Sequence, residues 1–218
     1  MARIRSFAAP HKGLRNVISK FAFQLGITDV SDASALVRLK ALGEEMFVLL
    51  NDHVHTENEH TLRHLEERAP GAGAHDRDDH EKLDAIQDNL QRHLMELTGR
   101  ETPEQLHLFY LKFAWFQSQY LEHINEEETV TELLLQKHFA DDELMQHRHA
   151  IMKQLKPPML LLWLKYIIPA QRVDESVGML SGLKANAPAD FFKQVMDILS
   201  MEIEPERYHE LEVNLTRK

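Results

Sequence analysis

Residues 106–134, LHLFYLKFAWFQSQYLEHINEEETVTELL, set Leu106, Phe109, Phe113, Phe116, Tyr120, His123, Glu127, Val130 and Leu134 at a strict alternation of three and four. That spacing puts all nine on one face of an α-helix, the face an amphipathic helix buries. His123 and Glu127 interrupt an otherwise apolar seam. Upstream, Leu36, Leu39, Gly43, Met46, Leu50, His53 and Glu57 keep the same alternation, and His60 and His64 continue it. Two further seams begin with a histidine: His11, Leu14, Ile18, Phe21, Leu25, and His80, Leu83, Gln87, Leu90, Leu94, Leu97.

Breaks between these seams fall at residues 26–33, at 69–74 with Pro70, Gly71 and Gly73, and at 98–103, where Thr102-Pro103 has the cap-then-proline form of a helix start. They predict helix A over residues 10–26, helix B over 33–68, helix C over 77–98 and helix D over 103–139. Short connections make neighbours antiparallel, so the expected fold is all-α: an up-down-up-down four-helix bundle over residues 1–140. No run of alternating β-branched residues reads as a strand. Residues 141–218, punctuated by Pro157-Pro158, Pro169, Pro188 and Pro205, predict a C-terminal extension of four or five small helices. The apolar stretch 159–168, with Trp163 and Tyr166, is expected to pack on the bundle or to form an oligomer contact, such as a homodimer.

With 218 residues, 43% hydrophobic and 28% charged, the chain has the composition of an ordinary globular protein. Its net charge of −10 and the lack of a basic stripe argue against nucleic acid as a partner. Zero cysteines exclude thiolate metal sites, disulfides and cysteine nucleophiles, so a metal here must take nitrogen and oxygen ligands. No apolar run approaches the roughly 20 residues of a membrane helix, and residues 1–10 lack the apolar core of a signal peptide. A cytoplasmic location away from membrane is the expectation.

The chemistry lies in the two His-x-x-x-Glu pairs. His11 precedes His53 by 42 residues and His80 precedes His123 by 43, and each second histidine is followed four residues on by Glu57 or Glu127. The chain therefore carries a diverged repeat of one helical hairpin, and in an antiparallel hairpin the four histidines can share one level. Burying carboxylates and imidazoles in an apolar seam costs several kcal/mol apiece unless they are paired or bind a cation. Four histidines and two glutamates suffice for two first-row ions, with Glu57 and Glu127 able to bridge them.

The segments PHKGLRNVISKF, NDHVHTENEHTLRHLEERAP, DDHEKLDAI and YLEHINEEETV resemble the four helices of the hemerythrin-like, HHE cation-binding family. The resemblance runs from about residue 9 to residue 139. It implies a non-haem di-iron centre, with His11 from helix A, His53 and Glu57 from helix B, His80 from helix C, and His123 and Glu127 from helix D. Oxygen-carrying hemerythrins offer His-x-x-x-His on the third helix and His-x-x-x-x-Asp on the fourth. Here His80 stands between Asp76 and Asp84, and the fourth helix has His123-x-x-x-Glu127, so the donor set is richer in carboxylate. In this it is similar to the iron- and oxygen-sensing hemerythrin domain of a eukaryotic F-box ubiquitin-ligase subunit.

The expected function is a di-iron protein binding or reacting with oxygen or a related diatomic or peroxide ligand, for sensing, detoxification or iron handling. A sensor would need a protein partner to read its state. The alternatives are a di-iron enzyme that repairs iron centres or reduces nitric oxide or peroxide, and a zinc-binding structural or interaction protein.

Overall fold

Helical periodicity yields α1 (Ala8–Ile27), with Pro10 confined to its first turn, and α2 (Ala33–Thr56), begun by Asp32, whose carboxylate accepts from the backbone N–H groups of Ser34 and Ala35. In this computed structural model, which describes residues 3–216, every regular element among the described residues is helical. After α2 the helix continues through a five-residue π-turn (Glu57–Thr61) into α3 (Leu62–Arg68). Next come α4 (Ala74–Glu96) and α5 (Pro103–Glu126), which passes through a second π-turn (Glu127–Thr131) into α6 (Glu132–His138). The turn before α5 is fixed twice. Gly99 takes the left-handed φ of +83°, and Glu101 accepts from the N–H groups of Thr98 and Gly99, while Thr102 and Gln105 cap each other around Pro103.

The chain divides into two compact units: residues 17–154 with the segment before Ala9, and residues 155–218 with Ala9–Asn16. In the first, α2 and α4 run antiparallel, since partners rise along one as they fall along the other: Gly43 against Leu94, Asn51 bonded to Gln87, Asn58 to His80. α4 and α5 do the same, with His93 against the Phe109 ring and His80 against His123. The later turns of α1 join this packing through Phe21, whose ring meets Phe113 at 4.7 Å and Phe47 at 6.3 Å.

The π-turns correct the predicted seams. Each adds a residue to its turn, so the stripe slips by one position beyond it. Leu62 and Leu65 are buried in place of His60 and His64, and Thr131 and Leu135 are buried in place of Val130, 48% exposed, and Leu134. Beyond the slip, Phe7, Leu65, Leu135 and Phe139 enclose Leu144 of α7 (Asp141–Gln154). The first unit thus extends to Gln154, past the expected boundary at residue 140, because α7 supplies an apolar side chain to its core.

The second unit has its own core. α8 (Pro157–Ile167), a 3-10 turn (Ile168–Ala170), α9 (Val173–Asn186), α10 (Ala189–Glu202) and α11 (Pro205–Thr216) bury Leu164, Ile168, Leu180, Val195, Leu199, Ile203 and Leu211 together. Much of the apolar stretch 159–168 is spent on this core. The opening turns of α1 belong here too: Asn16 donates to the Tyr166 carbonyl at 3.0 Å, and Lys12 pairs with Glu175 at 2.9 Å. Among the described residues no helix is long and apolar enough to cross a membrane.

At Gly43 the helices pack too closely for a side chain, since a Cβ there would run into Leu94 and the Phe21 ring, both fully buried. Gly43→Ala is expected to lower stability by about 1–3 kcal/mol in urea denaturation, the overpacking outweighing alanine's better helix propensity.

Candidate metal centre

Three helices of the first unit carry histidines and glutamates to one place. His53 ends α2, and Glu57 opens the π-turn that follows; His123 and Glu127 stand in the same relation on α5; His80 projects from α4. All five are at most 4% exposed. His53 Nε2 lies 3.3 Å from Glu57 Oε2 and 3.8 Å from Glu127 Oε2. His80 Nε2 lies 3.4 Å from Glu57 Oε2 and 3.5 Å from Glu127 Oε1, and His123 Nε2 lies 3.3 Å from Glu127 Oε1. Each carboxylate therefore faces imidazoles from both halves of the sequence repeat.

The ligand atoms of Glu57, His80, His123 and Glu127 all lie within 4.8 Å of one another. Donors held about 2.1 Å from one ion are roughly 3–4 Å apart, so this spread suits a shared cation. The imidazole edges suit one as well. His80 donates through Nδ1 to Asn58 Oδ1 at 3.1 Å, which fixes the tautomer and leaves the Nε2 lone pair directed at the carboxylates. His80 Nε2 and His123 Nε2 are both buried and face the carboxylate oxygens at 3.3–3.5 Å. Nitrogen and carboxylate donors of this kind hold first-row divalent metals. Buried His/Glu clusters in this protein could therefore hold a metal ion.

Electrostatics favour the same occupant. Burial, and then the charge of Glu127, push the Glu57 carboxyl well above its ordinary 4.5. Burial would raise Glu127 too, but hydrogen bonds with His123, His53 and His80 win and hold it below the usual range. Asp76, one turn before His80, is also raised by burial, and its carboxylate accepts a 2.8 Å hydrogen bond from Thr131 inside the second π-turn.

His11 is fully buried and shares a face of α1 with Leu14, Ile18 and Phe21; it lies in the segment grouped with the second unit. His60 and His64 do not join the donors. His60 meets Gln154 at 3.1 Å and His64 stacks on His147, ring centroids 4.2 Å apart. The periodicity missed Asn58 and Thr131, the polar partners beside the donors. The one available sign of the slipped stripe was that Leu62 and Leu65 are apolar where His60 and His64 are not. A separate, partly exposed trio, His75, Asp79 and Glu126, holds together as ion pairs, 3.1 Å from His75 to Glu126 and 3.5 Å to Asp79. No known protein family, curated protein or solved structure matches the chain.

Deleting exposed Thr129 is expected to turn the second π-turn into regular α-helix while keeping Thr131 and Leu135 on the buried stripe. The variant should retain a cooperative unfolding transition and native helicity by circular dichroism, yet bind divalent metal at least tenfold more weakly by calorimetry.

Replacing Glu57 with glutamine tests the buried charge. Because its carboxyl is raised in the folded state, its contribution to stability is present below about 4.5 and is lost as pH rises through the folded value. Metal-free Glu57→Gln should therefore be more stable than metal-free wild type at pH 7–8, by about 1–4 kcal/mol in urea. It should also lose the stabilisation that added metal gives the wild type.

Proposed function

We propose that the first unit together with α1 is a hemerythrin-like, up-down-up-down four-helix bundle that holds two non-haem iron ions and binds or reacts with oxygen or a related small oxidant, in sensing, detoxification or iron handling. The observation that carries this reading is the pair of buried carboxylates, Glu57 and Glu127, from opposite halves of a repeat, each within 4 Å of imidazoles from both halves. Glu57 and Glu127 bridge in this scheme, and His53, His80 and His123 are terminal ligands.

His11 is the proposed fourth terminal ligand. The rings of Phe21, Phe47 and Phe113 meet at one level. His11, Glu57 and His123 each stand ten residues from those rings, along α1, α2 and α5 respectively. In an up-down-up-down bundle α1 runs opposite to α2 and α5, and ten residues of helix, about 15 Å, would then bring the three donors to a common level. In this reading His11, His53, Glu57 and Glu127 would hold one ion, and Glu57, His80, His123 and Glu127 the other.

Bound iron would supply the Lewis-acid and redox chemistry at this place. The residues of the chain do the remainder. Glu57 and Glu127 provide the negative charge that retains cations, Asn58 keeps the His80 lone pair on the carboxylate side, and buried Phe113 and Phe116 exclude bulk water. A carboxylate-rich donor set with bridging glutamates suits iron or manganese better than copper.

Metal analysis of protein purified without added metal tests the reading. The expected result is about two irons per chain and, in the ferric state, a near-ultraviolet absorption that changes on adding azide. Protein that stays iron-free and colourless after anaerobic loading with ferrous iron, or that retains only zinc, overturns it.

A further inference from the structure

Tyr120 lies one turn before His123 on the same face of α5 and is 1% exposed. Its ring stands 6.3 Å from that of His123 and 6.4 Å from that of His53, so it bridges the two halves of the donor set from the apolar side. Its other neighbour in the stack is Phe116, at 5.7 Å. The hydroxyl is buried and has no hydrogen-bond partner. A buried phenol left so is uncommon, because stranding a donor costs about 1–3 kcal/mol. Elsewhere along this face the chain spends phenylalanine, at positions 109, 113 and 116. Phenylalanine would fill the same space without stranding a hydroxyl, so packing alone gives no reason for the oxygen.

We propose that Tyr120 is the hydrogen-bond donor to the exogenous ligand of the metal centre, a small anion or a reduced oxygen species, and is not itself a metal ligand. The inference rests on the metal-binding reading above and adds to it the group that recognises what the metal binds. Donor chemistry suits the surroundings. Burial first, and then the charges of Glu127, Glu57 and Asp84, hold the phenol well above its ordinary range, so the hydroxyl keeps its proton. With Glu57, Glu127, Asp76 and Asp84 all acceptors when ionised, the centre has little to offer an incoming anion besides the metal itself. A neutral O–H supplies attraction without adding charge, and it favours ligands that carry negative charge on the atom beyond the metal-bound one.

The test uses full-length, iron-loaded protein and azide as the probe. Tyr120→Phe removes only the hydroxyl, and it should fold with unchanged or slightly higher thermal stability and an unchanged iron content. Its azide dissociation constant should rise about tenfold, the worth of one hydrogen bond to a charged acceptor. The antisymmetric stretching band of bound azide should shift on substitution, and it should respond to D2O in the wild type but not in Tyr120→Phe; a merely structural role would move neither. Equal azide affinity and an equal band in the two proteins overturn the proposal. So does loss of iron from Tyr120→Phe, or a visible phenolate-to-iron charge-transfer band present only in the wild type, since either makes Tyr120 a support or ligand of the metal. If wild type itself takes up no iron, the metal reading has failed, and the role of Tyr120 falls with it.

Discussion

Two carboxylates held in a dry seam set the terms for the rest of the first unit. Neither Glu57 nor Glu127 reaches water, and each sits close enough to the other for its charge to count against ionisation. Imidazoles at 3.3–3.8 Å relieve part of this, enough to keep Glu127 ionised while Glu57 is driven toward its protonated form. Such an arrangement is poorly suited to stabilising a fold by itself, because an apolar replacement of equal volume would serve better. A divalent cation reverses the sign of the problem: the same charges that repel each other become its ligands. The donor layer lies between two apolar layers along the helix axes. Phe21, Phe47, Phe113 and Phe116 fill one side, and Leu65, Leu135, Phe139 and Leu144 the other. Retaining His53, Glu57, His80, His123 and Glu127 between them is a local conflict of the kind that marks function.

The π-turns show how closely the backbone is fitted to that layer. Both begin at a candidate bridging glutamate, both last five residues, and both leave the helix to continue for seven residues more. Their sequences, ENEHT and EETVT, share the opening glutamate and the closing threonine but none of the three residues between. A local propensity would need a common local sequence. The shared geometry therefore comes from what the two segments pack against: the opposing donors on one side and the Phe7, Leu65, Leu135 and Phe139 cluster on the other. Wide turns of this kind occur chiefly where a helix has to aim a functional side chain, and here each aims a carboxylate. Thr131, closing the second turn, bonds buried Asp76, so the slipped register also satisfies another acidic group.

Most of the helical layout was legible because the signals for it are local. Four seams with three-four spacing, and breaks at Gly26, Pro70 to Gly73 and Gly99, locate α1, α2 with α3, α4, and α5 with α6 to within a few residues. The donors were legible for the same reason: a histidine or glutamate in an apolar stripe stands out whatever the fold. What escaped depends on contacts distant in sequence. Val130 and Leu134 were expected inside because an ideal helix has no means of slipping, and only packing across the unit imposes one. The membership of α7 turns on Leu144 meeting Phe7 and Phe139, and the grouping of Ala9–Asn16 with residues 155–218 turns on Lys12 and Asn16 finding Glu175 and Tyr166. No periodicity in the chain records those meetings.

Placing the donors on several separate helices, with none on an exposed loop, has a thermodynamic consequence. The donors come from α2 and its π-turn, from α4, and from α5 and its π-turn, so no short peptide of this chain contains a complete set. A cation that needs all of them binds the assembled unit and has little affinity for the unfolded chain, and its binding free energy becomes folding free energy. Metal occupancy would then be read directly as stability of the first unit. Of the candidate donors, only His11 is grouped with residues 155–218.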